Sequence, residues 1–97
     1  MERTQKRNES RVDFWMQKID RGVPIPLYYQ LKQLIKEDIA SGVLKHGEPI
    51  PTEVELSVAL NISRPTIRQC MTDLVNEGYL TRMKGRGTFV TLPKIEV

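Results

Sequence analysis

The sequence of 97 residues has little of what many small-protein sites are built from: one cysteine, one histidine and 6% aromatic residues. Cys70 has no second cysteine with which to form an internal disulfide, and His46 has no Cys or His nearby at metal-ligand spacing. No stretch approaches the roughly 20 consecutive apolar residues of a membrane helix. We therefore expect a cytoplasmic protein without a disulfide framework, a metal site or a cofactor.

Catalytic groups are equally scarce. At roughly 100 to 200 residues per domain, the length fits one small domain and excludes a two-domain enzyme. The sequence offers no paired carboxylates and no nucleophile beside a base at a readable spacing, and His46 has no acid or base partner. We expect that the protein is not an enzyme.

The charge is distributed unevenly along the chain. Lys and Arg outnumber Asp and Glu by 15 to 12, and the excess gives a net charge of +3. Residues 1–26 carry +2, residues 27–60 carry −2 and residues 61–97 carry +3. A basic patch is most often only a solvated face, and it indicates nucleic-acid binding when the fold gathers the charges together. The last third of the chain is therefore the candidate binding surface.

Residues 1–23 are predicted to form an N-terminal arm. The first eleven residues are polar and charged, after which apolar residues recur at helical spacing: Val12, Trp15, Met16 and Ile19. This spacing predicts a short helix over residues 13–20. The apolar stripe can dock on the domain or on a second copy, and the alternatives are a frayed extension or a segment that orders on DNA.

Three helices are predicted in the domain that follows, residues 24–92. The first begins at Leu27, after two prolines, and stops at Gly42. The second opens with a capping box between Thr52 and Glu55 and is interrupted by Asn61. The third is capped by Ser63, has a proline in its first turn and ends at Gly78. Since only three residues separate the last two helices, they form a helix-turn-helix with the third as recognition helix.

A β-hairpin is predicted to follow the helices, with strands at residues 79–83 and 88–92 and a glycine-rich, basic tip at residues 84–87. The fold class is therefore mainly α with a small β-hairpin: a winged helix-turn-helix of three helices and a two-stranded wing. The first turns of a recognition helix lie deepest in the major groove. The polar side chains in these turns are therefore predicted to read the bases: Arg64, Thr66, Arg68 and Gln69. Helix N-termini attract phosphate, and a basic, glycine-rich wing can approach the DNA backbone closely. Contacts with the DNA backbone are therefore predicted for Thr52, Ser63, Arg82, Lys84, Gly85, Arg86 and Gly87.

Residues 26–90 resemble the N-terminal DNA-binding domain of GntR-type bacterial transcription regulators. The resemblance is carried by PLYYQ at 26–30, IASGVL at 39–44, PTE at 51–53 with Leu56, SRPTIRQ at 63–69, Leu74 with EG at 77–78, and GRGTFV at 85–90. The start PLYYQ, and TFV followed by PKIE at 93–96, look most like the HutC subgroup, whose members continue into a small-molecule-sensing domain.

The resemblance implies a ligand-responsive regulator, usually a repressor, that reads a near-palindromic operator as a homodimer. Arg64, Thr66 and Arg68 match the family's DNA-contacting positions, and Lys84, Gly85 and Arg86 match its wing contacts. Many members carry an arginine that contacts DNA where this chain has Val54, so that contact is absent or replaced. Residues 93–97 are expected to begin a linker to an effector-binding domain absent from this chain, although a naturally short protein is the alternative. The fragment alone is expected to be monomeric or weakly dimeric and to pair on DNA.

Two rival hypotheses belong to other classes. A winged helix can use its basic face to bind an acidic protein instead of phosphate. An enzyme is the weaker rival, because the sequence contains no catalytic constellation. A selected palindromic DNA site would eliminate the first rival, whereas salt-dependent binding without sequence preference would leave it open.

Overall fold

Four helices and three short strands make up the part of the chain that the computed structural model describes, residues 6–91, with side chains from residue 11 onward. In chain order the elements are α1 (Lys6–Lys18), α2 (Leu27–Ala40), β1 (Pro49–Ile50), α3 (Glu53–Leu60), α4 (Arg64–Asn76), β2 (Leu80–Met83) and β3 (Gly87–Val90). The predicted linker at 93–97 and the predicted strand end at Leu92 lie outside the described residues.

Helix α1 is longer than the sequence predicts. It starts at Lys6 and ends at Lys18, whereas apolar spacing placed it at residues 13–20. The spacing missed its first turns because these consist of charged and polar residues, among which Lys, Arg and Glu favour helix without leaving an apolar stripe. Trp15 is 1% exposed and belongs to the core, whereas Met16 is 49% exposed and does not belong to the buried stripe. In the described residues, α1 thus packs on the domain and contacts α3.

Helix α2 crosses the core and packs against α4. It begins directly after Pro26, whose carbonyl accepts from Gln30 N at 3.1 Å, as the two prolines predict. Leu31, Ile35 and Ile39 form its buried face. Beyond its end, Gly42 has φ +86°, a left-handed conformation that glycine adopts without strain. The predicted start and stop of this helix are confirmed.

Helices α3 and α4 form the helix-turn-helix. The capping box is present: Glu55 N donates to Thr52 Oγ1 at 3.0 Å, and Thr52 N donates to Glu55 Oε1 at 2.8 Å. Asn61 ends α3 with φ 56°, a left-handed geometry that Asn tolerates better than most residues. Ser63 then caps α4 by accepting from Thr66 N at 3.3 Å. The predicted turn of three residues between the helices is confirmed.

The wing contains one more strand than predicted. β3 lies between β1 and β2 in an antiparallel sheet of order β1-β3-β2, with Pro49 opposite Phe89 and Leu80 opposite Val90. β1 has only two residues, and Pro49 provides no amide proton, so its sequence carries no strand signal. It joins the sheet because the backbone extends the pairing: Gly47 N donates to Val90 O and Val90 N to Glu48 O, both at 2.8 Å. The prediction of a two-stranded wing is therefore corrected to a three-stranded sheet within residues 6–91. The three predicted helices of the domain are present as α2, α3 and α4, and the predicted helix of the arm is α1.

The mainly α winged helix-turn-helix itself is confirmed. Its single apolar core joins all of the larger elements: Trp15, Leu31, Ile35, Ile39, Leu44, Ile50, Leu56, Leu60, Ile62, Ile67, Cys70, Met71, Leu74, Leu80 and Val90. Across residues 6–91, no helix has the length and apolarity needed to cross a membrane.

Candidate nucleic-acid interface

The recognition helix α4 separates its polar and apolar side chains on two faces. Ile67 and Cys70 are fully buried, with Met71 and Leu74 beside them in the core. Arg64, Arg68 and Gln69 are exposed on the other face, and Thr66 is half-buried. This side of the helix therefore offers two guanidinium groups within its first two turns, and guanidinium groups can bind base edges in the major groove.

Both helix caps lie next to this polar face. The hydroxyl groups of Ser63 and Thr66 are 2.7 Å apart and share a hydrogen bond, so the start of α4 is fixed by its own side chains. Thr52 is held in the same way by the capping box at the start of α3. The two hydroxyl groups that the sequence predicts as backbone contacts thus already have intramolecular partners, which orient the helix starts.

A carboxylate to which the sequence pattern gives no role connects the recognition helix to the wing. Glu53 Oε1 accepts from Arg68 Nε at 3.1 Å, and its Oε2 lies 3.6 Å from Arg82 Nη2. Arg82 also donates to Thr72 Oγ1 of α4 at 3.4 Å. Glu53 precedes Arg68 by fifteen residues and Arg82 by twenty-nine, so no local pattern reveals the contact, and the PTE motif at 51–53 is the sole sequence signal near it.

The wing loop, which consists of Lys84, Gly85 and Arg86, connects β2 to β3. Arg86 N donates to Met83 O at 2.8 Å and closes the turn. Gly85 has φ +76° and Gly87 has φ +121°, so the reversal requires two residues that tolerate the left-handed region. Lys84 and Arg86 are exposed, and within residues 11–91 neither forms an ion pair with a carboxylate. The tip of the wing therefore presents two cations to solvent.

Gln69 differs from its neighbours because its amide is turned along the helix. Gln69 Nε2 donates to Asp73 Oδ1 at 2.9 Å, one turn further on. Contact with a base edge would require this bond to break. Of the four predicted base-reading side chains, Arg64 makes no side-chain hydrogen bond or ion pair within residues 11–91. Arg68 is held by Glu53 through Nε, and Thr66 and Gln69 have local partners.

Exposed contacts with α2 hold the C-terminal end of α4. Lys32 of α2 donates to Glu77 at 2.8 Å, and Lys36 donates to the same carboxylate at 3.0 Å. These hydrogen bonds, of which that from Lys32 has the larger effect, hold the pKa of Glu77 below its ordinary value.

The single cysteine, Cys70, lies in the core. Burial raises the pKa of the Cys70 thiol to about 12, so this group stays protonated and behaves as a core side chain.

The N-terminal segment, which precedes α2, contacts both α2 and the end of α3. Asp38 of α2 is 5% exposed and accepts from Arg11 Nε at 2.9 Å, Arg11 Nη2 at 2.7 Å and Trp15 Nε1 at 2.8 Å. Arg21 Nη2 donates to the carbonyl groups of Leu60 at 2.7 Å and Asn61 at 3.0 Å. A cation at the end of α3 is favourable for the helix dipole. The segment before α2 thus contacts both the core and the turn that precedes the recognition helix.

Comparison with known proteins agrees with this geometry. The family model described as "Bacterial regulatory proteins, gntR family" matches residues 27–90, which include α2, the helix-turn-helix and the wing. The chain belongs to the GntR family. The predicted family is therefore confirmed, and the matched range agrees with the segments on which the resemblance was based.

Two curated GntR-type relatives are transcriptional repressors by name. The HTH-type transcriptional repressor NagR of Bacillus subtilis is 49% identical over 78 residues, which are 80% of this chain and 32% of that protein. The histidine utilization repressor of Klebsiella aerogenes is 45% identical over 74 residues, 76% of this chain and 31% of that protein, in agreement with the HutC-like motifs. The chain thus spans about a third of the length of these relatives.

A solved structure of the same family contains DNA. The DNA-binding domain of AraR in complex with operator ORX1 has a TM-score of 0.65 and 42% sequence identity, and the match covers 69% of this chain and 81% of that chain. The GntR fold of residues 27–90 is therefore shared with a domain that has been seen bound to an operator.

Proposed function

We propose that this GntR domain binds double-stranded DNA sequence-specifically and reads a near-palindromic operator for a ligand-responsive transcription regulator, most simply a repressor. The observation that carries the proposal is the exposed face of α4, which presents Arg64 and Arg68 one turn apart while the opposite face fills the core. An arginine fork binds guanine O6 and N7 bidentately, a contact worth roughly 1 to 3 kcal/mol of discrimination. The repressor names of the two relatives and the operator complex of AraR support the same function.

The site residues divide into two roles. We assign base reading to Arg64, Thr66, Arg68 and Gln69, and contact with the DNA backbone to Thr52, Ser63, Arg82, Lys84, Gly85, Arg86 and Gly87. Cations that bind phosphate raise the affinity for every DNA sequence, whereas base contacts carry the sequence preference. The exposed cations of the wing loop, Lys84 and Arg86, suit the first role, and the arginines of α4 suit the second.

The rest of the regulator is inferred from the family. A near-palindromic operator needs two copies related by a two-fold axis, so we propose a homodimer on DNA, with the isolated domain monomeric or weakly dimeric. The effector would bind a domain outside this chain, which covers about a third of the relatives' length. We propose no catalytic activity, because the relatives are transcription regulators, and we propose the cytoplasm as the place of action, where bacterial chromosomal DNA lies.

The test begins with selection of binding sites from a random DNA pool at near-physiological salt with excess nonspecific competitor. One enriched near-palindrome is the expected result. Enrichment of no sequence, despite salt-sensitive binding, would contradict operator reading by this domain and would favour an acidic protein as the partner of the basic face.

The two roles are then separated with single variants on the selected site. Arg64→Ala and Arg68→Ala are each expected to lower the preference for operator over random DNA by roughly 5- to 150-fold, the equivalent of 1 to 3 kcal/mol. Lys84→Ala is expected to weaken both DNAs about equally and to reduce the salt slope by about 1. Uniform losses from all three variants would contradict the base-reading assignment.

A further inference from the structure

We propose that Glu53 is a positioning residue for DNA recognition: its carboxylate aims the Arg68 fork at the base edges and connects it to the wing through Arg82. The inference rests on the proposed DNA-binding function and adds a specificity-determining residue to it. An acidic side chain on a DNA-facing surface repels phosphate, so its presence beside two arginines requires a reason beyond affinity.

The atoms of Arg68 that Glu53 occupies support this role. The hydrogen bond of 3.1 Å is made to Nε, on the inner side of the guanidinium group. The two terminal nitrogens of Arg68 are therefore left for a bidentate contact with guanine, which needs two parallel donors. With the inner nitrogen held, the long side chain has fewer rotamers to lose when it meets a base, and this preorganisation favours the correct site.

The second contact of Glu53, with Arg82, links α3 to β2, two elements that are separated in the chain by α4. Arg82 of β2 lies 3.6 Å from Glu53 and donates to Thr72 of α4 at 3.4 Å. The carboxylate of Glu53 therefore connects the start of α3 to the recognition helix and to the base of the wing. These contacts help to hold the three elements in one relative position. The side chain of Glu53 is 28% exposed and that of Arg68 is 56% exposed, so the contact is open enough for DNA to reach the arginine without dismantling the core.

Removal of this charge should lower specificity rather than general affinity. For Glu53→Gln, we expect the preference for the selected operator over random DNA to fall by about 10-fold, within the roughly 5- to 150-fold that one arginine-guanine contact contributes. Binding to random DNA should be unchanged or tighter, because a negative charge near the phosphates is gone. The measurement is competition binding of the whole chain at fixed salt, with melting curves to establish that each variant is folded.

Glu55→Gln provides the matched control. Glu55 lies in the same first turn of α3, so the substitution removes the same charge, while Gln can still accept the capping bond from Thr52 N. A loss of specificity equal to that of Glu53→Gln would show that only the charge of the helix start matters, and it would overturn the proposal. Glu53→Asp tests the distance, because it keeps the charge but shortens the side chain, and it should lose specificity as Glu53→Gln does.

The decisive readout is the identity of the base pairs at which preference is lost. Binding of each variant to a set of operators with single base changes gives a profile along the site. Glu53→Gln and Arg68→Ala should relax the same base positions, and the double variant should lose little more than Arg68→Ala alone. A uniform loss, or losses at positions that Arg68→Ala leaves intact, would overturn the positioning role. Failure of the wild-type chain to select any operator would instead contradict the proposed function.

Discussion

Two carboxylates, Asp38 and Glu53, each connect neighbouring elements by accepting hydrogen bonds from an arginine. They differ in burial, because Asp38 is buried and Glu53 is partly exposed. Asp38 joins α1 to α2 and is 5% exposed. It accepts three hydrogen bonds, all at 2.9 Å or less, from Arg11 and Trp15. Glu53 joins α3, α4 and the wing through longer contacts of 3.1 and 3.6 Å, and its side chain is 28% exposed. The buried pair fixes the scaffold, whereas the open pair lies on the face that we propose meets DNA.

Burial also decides how costly each contact is to break. A buried charge that loses its partner cannot recover its hydration, and breaking such a pair typically costs about 3 to 5 kcal/mol. Water replaces the partner of an exposed pair, which typically contributes about 0 to 1 kcal/mol. The domain therefore has its strong polar contact between α1 and α2 and its weaker contact on the face proposed to meet DNA.

The largest effect is expected for Asp38→Ala. The variant leaves the guanidinium group of Arg11 and the indole N–H of Trp15 without an acceptor, so the free energy of unfolding should fall by about 3 to 5 kcal/mol. Urea denaturation monitored by Trp fluorescence, with far-UV circular dichroism as a second probe, measures this loss. Glu37→Ala is the matched control, because it removes an exposed carboxylate from the neighbouring position of α2 and should stay within about 0.5 kcal/mol. A loss below about 1 kcal/mol for Asp38→Ala would remove the contrast with Glu53.

A much smaller effect on folding is expected for Glu53→Gln. Its contacts are exposed, so the free energy of unfolding should change by no more than about 1 kcal/mol. The same denaturation experiment measures it, with Glu55→Gln as the control in the same helical turn. Destabilisation as large as that of Asp38→Ala would mean that Glu53 is a scaffold residue and that the two regions do not differ.

The same contrast explains how far the sequence could predict this structure. The caps at Thr52 and Ser63 and the interruption at Asn61 are local signals that act within about four residues, and all three were predicted correctly. The two-residue strand β1 was missed, because it exists only through pairing with a strand that follows it by about forty residues.

The carboxylate contacts could not be predicted for a similar reason. The Arg11 to Asp38 bond spans 27 residues and the Arg68 to Glu53 bond spans 15, so neither pair has a spacing that marks it. The basic residues of the candidate site were identified individually from the pattern of the recognition helix and the wing. The acidic residue that joins two of them becomes visible only when α3, α4 and β2 have been packed together.

The smallest effect is expected for Glu77→Gln, at a third carboxylate that is more exposed than Asp38 and Glu53. Hydrogen bonds from Lys32 and then Lys36 lower the pKa of Glu77, so its contribution to stability is present above its ordinary pKa of 4.5 and is lost as the pH falls through the lowered value. The side chain is 37% exposed, and the variant should therefore lose no more than about 1 kcal/mol at pH 7. The difference from wild type should shrink as the pH is lowered below about 4.5, when protons begin to compete with the two lysines. Urea denaturation across a pH series measures it, and a difference that persisted unchanged at pH 2 would mean that Glu77 acts through packing rather than through its charge.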